Sequence, residues 1–176
     1  NLKERWKFHF FPKSLLKSNR KQSIKLFMEY NMNAKKEKRY MKKILVIHGP
    51  NLNLLGEREP GVYGSTSFAE LNTMIQDRGE KLGLSVEIFQ SNHEGAIIDR
   101  LHAARKDFDG VIINAGAYTH YSYAIHDAIH DIKIPVIEVH ISNIHAREGF
   151  RSNSVISPVC KGTIAGFGIN SYFLAL

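Results

Sequence analysis

KILVIHGPNLNLLGEREPGVYG, residues 43–64, decides the fold. KILVIH is a short run of Val, Ile and Leu without polar alternation, which predicts a strand buried on both faces of a parallel sheet. The Gly, Pro and Asn that follow predict a long loop over residues 49–64, at the strand's carboxyl end. Beyond it, Phe68, Leu71, Ile75 and Leu82 recur at helical spacing over residues 67–82. Ser67 as N-cap with Glu70 three residues on forms a capping box. The alternation then repeats. Strands are predicted at 84–90 (LSVEIFQ), 110–114 (GVIIN), 135–140 (PVIEVH) and 161–168 (KGTIAGFG), and helices at 95–106 and 122–132. A last helix is expected to begin at Ser171 and to be cut short at Leu176. This rhythm predicts an α/β fold: a flavodoxin-like three-layer sandwich around a five-stranded parallel sheet of order 2-1-3-4-5.

The chain has 176 residues, of which 43% are hydrophobic and 23% charged, ordinary values for one globular domain. No apolar run is long enough to span a bilayer. The single cysteine, Cys160, excludes an internal disulfide and fits a reducing cytoplasm, the expected location. It falls in SPVCKG, away from the polar clusters, so no catalytic role is expected. The formal charge of +7 is unevenly placed: residues 1–40 hold 12 of the 24 Lys/Arg but only 3 of the 17 Asp/Glu. Residues 41–176 are therefore slightly acidic and give no reason to expect nucleic acid. Residues 1–40 are expected to be a disordered or non-native extension, with at most a weak helix through Leu15, Leu16, Ile24, Leu26, Phe27 and Met28. The chain begins with Asn1, and Met41 looks like a natural start. The opposing reading is a basic arm for RNA, membrane or targeting, because aromatics interleave with Lys/Arg over residues 6–11.

Chemistry gathers in four polar clusters that each follow a strand: residues 48–64, NAGAYTH (114–120), EVHISN (138–143) and HAREGFR (145–151). A parallel sheet brings such strand ends to one rim. Tyr63 is a poor base, with an ordinary pKa of about 10. A guanidinium about 4 Å away supplies about 4 kcal/mol at an effective dielectric of about 20, enough to favour the phenolate, and Arg58 is the nearby candidate. Taken alone, the pair reads first as a loop anchor and a surface charge. Glu138 and His140 alternate onto one side of a strand, so the carboxylate can orient the ring as a general acid. A satisfied strand-end histidine is the plain alternative. Ile141, Ser142 and Asn143 are expected to open a helical turn whose N–H groups suit a carboxylate. Asn51 and Asn53 follow the first strand and can donate to an oxyanion. Asn114 ends the third strand, with His120 beyond it. Arg147 and Arg151 share a face if their segment is helical.

Other chemistries lack their signatures. HDAIH, residues 126–130, carries Asp where a zinc-protease helix has its Glu, and has no third ligand nearby, so no metal is expected. There is no phosphate-cradling glycine loop, no GxSxG elbow, and no strand-end lysine placed for an imine.

GPNLNLLG, REPxxYG, NAGAYTH, IEVHISN and HAREGFR, in this order and spacing, resemble the type II 3-dehydroquinate dehydratases of the shikimate pathway. The resemblance runs from Lys43 to Leu176. It implies a cofactor-free hydro-lyase of chorismate and aromatic amino acid biosynthesis, dehydrating 3-dehydroquinate to 3-dehydroshikimate by anti elimination through an enolate. Tyr63 is then the base, Arg58 its phenolate partner, and Asn51 the enolate stabiliser. His140 protonates the departing hydroxyl with Glu138 behind it. Asn114, His120 and Arg151 bind ring hydroxyls, and Ile141 and Ser142 the substrate carboxylate. Arg147 matches a lid-side arginine, and Asp127 a residue that reaches in from a neighbouring subunit. The implied assembly is a dodecamer of four trimers. The family has nothing like residues 1–40, and its last helix usually runs beyond the equivalent of Leu176. The competing function is a non-enzymatic flavodoxin-like module whose basic tail binds nucleic acid or lipid.

Overall fold

The computed structural model describes residues 25, 28, 29, 41–57 and 66–176. Residues 25, 28 and 29 are helical, and Lys25 Nζ lies 3.9 Å from Glu29 Oε1, one turn on. Leu15, Leu16, Ile24, Leu26 and Phe27 lie outside the described residues, as do Arg58 and Tyr63.

Lys42–Leu176 forms a compact unit. Its strands are β1 (Lys42–His48), β2 (Leu84–Gln90), β3 (Gly110–Asn114), β4 (Val136–His140) and β5 (Gly162–Ala165). Its helices are α1 (Phe68–Lys81), α2 (Glu94–Asp107), α3 (Tyr123–Asp131) and α4 (Asn170–Ala175). All four strand pairings are parallel, and the order is β2-β1-β3-β4-β5, as the sequence predicts.

Alternation along the central strands divides the core in two. Leu45 and Ile47 of β1, with Val111 and Ile113 of β3, pack under Ile97, Leu101 and Ala104 of α2 and Ile125, Ala128 and Ile129 of α3. Val46 and Ile112 point the other way, against Leu71 and Ile75 of α1 and Tyr172 of α4. Continuous Val/Ile runs are thus consumed by two helical layers, which is why these strands show no polar face. Burying one such side chain contributes about 1.5–3 kcal/mol. The α1 capping box forms as predicted: Ser67 Oγ accepts from Glu70 N at 3.2 Å, and Glu70 Oε2 accepts from Ser67 N at 2.8 Å. Ser122 caps α3 by accepting from Ile125 N at 2.9 Å.

Three predicted boundaries change. The first loop is not featureless: Leu52–Leu54 makes a 3-10 turn, and Leu55 O accepts from Phe68 N at 3.1 Å. β5 stops at Ala165 rather than residue 168, because Gly166 and Gly168 take φ of 89° and 60° and turn the chain across the end of β4. There Gly168 N donates to Ile141 O at 2.9 Å. The third change falls after β4, where the turn expected to open at Ile141 begins at Ile144.

Close approach at the rim depends on Gly49. Its N–H donates to Asn114 O at 2.7 Å, and an added Cβ would sit 2.4 Å from Ala115 O. Glycine here lets the chains leaving β1 and β3 touch.

Candidate active site

The chains leaving β1, β3 and β4 enclose a cleft of about 350 Å³ at the carboxyl ends of the strands. β1 and β3 flank the point where the strand order reverses, the usual ligand position in an open parallel sheet. Asn51, Leu52 and Leu54 line one wall; Gly116, Ala117 and His120 line another; Arg147 and Arg151 close the third.

Asn51 adopts a left-handed φ of 67°, and its N–H donates to Asn92 Oδ1 at 2.9 Å. Asn92 Oδ1 also accepts from Gln90 Nε2 at 3.1 Å, and Tyr118 Oη donates to Asn92 O at 3.0 Å. The end of β2 therefore holds the Asn51 turn. Sequence reasoning passed over Gln90-Ser91-Asn92 although it, too, is a polar cluster after a strand.

His120 Nδ1 lies 2.7 Å from Asn153 O. A carbonyl only accepts, so Nδ1 carries the proton and Nε2 is left as the accepting nitrogen. Arg147 Nη2 donates to Ser142 Oγ at 2.8 Å. Arg147 and Arg151 do not share one helical face. The chain forms two separate 3-10 turns, Ile144–Ala146 and Gly149–Ser152, with Arg147 extended between them. The loop's path, rather than helical periodicity, brings both guanidinium groups to the cleft.

Glu138 and His140 lie on β4, 0% and 5% exposed. His140 Nε2 is 2.8 Å from Glu138 Oε1, so alternation along the strand does pair them. Thr119 Oγ1 donates to the same carboxylate at 2.5 Å, Ser154 Oγ at 2.9 Å and Thr163 Oγ1 at 3.1 Å. Burial pushes the Glu138 carboxyl up. The hydrogen bonds from His140, Thr119 and Ser154, with the His140 charge, outweigh it and hold the group below the usual carboxylate range. A carboxylate met only by donors stays ionised and fixes the imidazole with its proton on Nε2. Nδ1 is left available to a substrate. Thr119, Ser154 and Thr163 come from three separate segments, and no local spacing announced them.

The other candidates are placed differently. Asn114 is 4% exposed, and its amide turns inward: Nδ2 donates to Tyr172 Oη at 3.0 Å and Oδ1 accepts from Gly116 N at 3.2 Å. Ile141 is buried and packs in the core beside Val139. Asp127 is not in the cleft: it sits on α3 with its side chain 79% exposed, 3.0 Å from His126 Nδ1. Cys160, expected from its sequence position to lie away from the polar clusters, is close enough to Glu138 to feel its charge. Burial, then the nearby Glu138 charge, raises its thiol to about 12. Such a thiol is no nucleophile at neutral pH. Among the described residues, no three His, Cys, Asp or Glu side chains cluster to hold a metal ion, and no helix is long and apolar enough to cross a membrane.

His48, at the end of β1, is fully buried, and burial lowers its pKa from 6.5 to about 4 against the opposing influence of Asn72. The folded ring thus stays neutral where the unfolded ring takes up a proton. Stability is complete above the unfolded value and falls as pH drops from 6.5 toward 4. Between pH 7 and pH 5 this group alone should remove about 2 kcal/mol of unfolding free energy. Denaturant titrations of wild type and His48→Gln at the two pH values check this; an equal loss in both proteins would assign it elsewhere.

Residues 42–176 match the sequence model of the family described as Dehydroquinase class II. The 3-dehydroquinate dehydratase of Caldicellulosiruptor bescii is 63% identical over 137 residues, 77% of this chain and 94% of that protein. That of Thermotoga maritima is 59% identical over 134 residues, 76% and 92% of the two chains. Among solved structures, the type II dehydroquinase of Butyrivibrio crossotus superposes with a TM-score of 0.75 at 52% identity, over 77% of this chain and 94% of that one.

Proposed function

This chain belongs to the class II dehydroquinase family, and from that premise we propose that it is a hydro-lyase of the shikimate pathway converting 3-dehydroquinate to 3-dehydroshikimate. The elimination is anti and passes through an enolate. Tyr63, kept as phenolate by Arg58, removes a proton from the carbon beside the ketone. Asn51, held at the cleft wall by Asn92, stabilises the enolate oxygen. His140 then gives a proton from Nδ1 to the departing hydroxyl, while Glu138 holds Nε2–H.

The observation that carries this reading is the Glu138–His140 pair. Four side-chain donors keep this buried carboxylate ionised. Behind an imidazole at a strand end it fixes the tautomer and compensates the charged ring, as a general acid requires. His120 and Arg151 line the cleft, where they bind ring hydroxyls together with Asn114, whose amide is bonded to the cleft residue Gly116. Ser142 binds the substrate carboxylate with Ile141 and with Arg147, which already donates to its hydroxyl. Asp127, outside this cleft, serves the site of a neighbouring subunit in a dodecamer of four trimers.

Purified protein given 3-dehydroquinate should raise the ultraviolet absorbance of the conjugated product, and should elute as an assembly. Folded, assembled protein without that rise would overturn the activity. A monomeric enzyme at full activity would overturn the role of Asp127.

A further inference from the structure

Tyr172 reaches the rear of the site from α4. It is fully buried, and its hydroxyl lies 3.0 Å from Asn114 Nδ2 and 3.0 Å from His48 Nδ1. We propose that Tyr172 is a positioning residue for the substrate-binding amide of Asn114, oriented in turn by His48. The inference rests on the substrate role given to Asn114 above.

The direction of the chain follows from which atoms donate. Gly116 N–H points at one end of the Asn114 amide, at 3.2 Å, so that end is the oxygen. The nitrogen therefore faces Tyr172, whose oxygen accepts. The single phenolic proton is then free for His48 Nδ1, which must be bare, and the ring proton lies on Nε2. Nε2 and Asn72 Oδ1 are both buried without a completed hydrogen bond. Asn72 nonetheless acts on the ring as an acceptor would. This agrees with Nε2–H facing Asn72 across an imperfect contact. Phe68, edge-on at 5.1 Å, and the Tyr172 ring, at 5.2 Å, confine the imidazole.

The other end of the chain is the cleft. Gly116 lines it, at a φ of 58° that packs it against Pro50 O. One Asn114 amide proton is spent on Tyr172, and the other remains for a substrate hydroxyl. Because Gly116 and Tyr172 together fix the plane of the amide, they fix where that second proton points. A fully apolar α4 would leave the amide free to rotate and one of its protons unpaired.

Tyr172→Phe keeps the ring and removes the oxygen. The KM for 3-dehydroquinate should rise about tenfold, the effect of one compromised buried hydrogen bond, with kcat within about threefold because the contact is made equally before and during the reaction. A purely structural tyrosine would instead lower the thermal midpoint and the active fraction, leaving KM unchanged. That result would overturn the proposal. The wild-type protein provides a readout independent of the variant's folding. In ¹⁵N-histidine spectra, His48 (assigned by its loss in His48→Gln) should show an unprotonated Nδ1 and a protonated Nε2. The opposite tautomer would reverse the chain and overturn it. Wild type without turnover would remove the substrate reading and this inference with it. Turnover with unchanged KM in Tyr172→Phe would remove this inference alone.

Discussion

Glu138→Gln should lower kcat for 3-dehydroquinate by about 10²–10³-fold with KM changed only a few-fold. The carboxylate accepts from His140, Thr119, Ser154 and Thr163, and offers no proton to any of them. An amide of the same shape brings two N–H groups into a shell of donors. Thr119, Ser154 and Thr163 can rotate their hydroxyls to accept, so the fold survives. With the amide oxygen in place of Oε1 the imidazole can keep its proton on Nε2, but the anion that compensates a charged ring is gone. The ring then fits the site but is a poorer acid. The stability effect has its own signature. Because Glu138 is held below the ordinary carboxylate range, its stabilisation is present at neutral pH and is lost as pH falls through its folded pKa. Steady-state kinetics with a thermal melt separate the two effects. A folded variant retaining more than about a tenth of wild-type kcat would mean that His140 is not the acid, or that the Glu138 charge does not support it.

Tyr63→Phe should have the larger effect, a fall in kcat of at least about 10³-fold with little change in KM. The phenol is used only in the chemical step, so its removal touches transition-state stabilisation and not binding. Holding it as phenolate near neutral pH requires its pKa to fall by about 2 units, or about 2.7 kcal/mol. A guanidinium about 4 Å away would supply that before desolvation is counted, the role proposed for Arg58. The kcat–pH profile should therefore lose, in the variant, the fall on the acidic side that comes from protonating the phenolate. Near-normal turnover by Tyr63→Phe would place the base elsewhere on the rim.

Much of the site was legible because strand ends of a parallel sheet share a rim. Once KILVIH and GVIIN are read as strands, Asn51 and His120 fall near one rim, and both line the cleft. Glu138 and His140 are paired by the two-residue period of β4 itself. The errors have a common origin. Helical spacing links Arg147 and Arg151 only if their segment is helical, and two short 3-10 turns place them instead. Cys160 was judged by its distance in sequence from Glu138, although β4 and β5 are neighbours in the sheet.

Local sequence determined the strands, the main helices and the α1 cap, because hydrophobic period and capping chemistry act over short spans, and their alternation pointed to the strand order. It also determined which residues sit at the carboxyl ends of the strands. Tertiary structure alone decided which polar atoms from distant segments meet. Thr119, Ser154 and Thr163 converge on Glu138, and Tyr172 joins Asn114 to His48 across 58 and 124 residues of chain. The physical reason is that a buried hydrogen bond needs partners within about 3 Å, whatever their separation along the chain. Only the packing of α4 and the loops onto the finished sheet sets that distance.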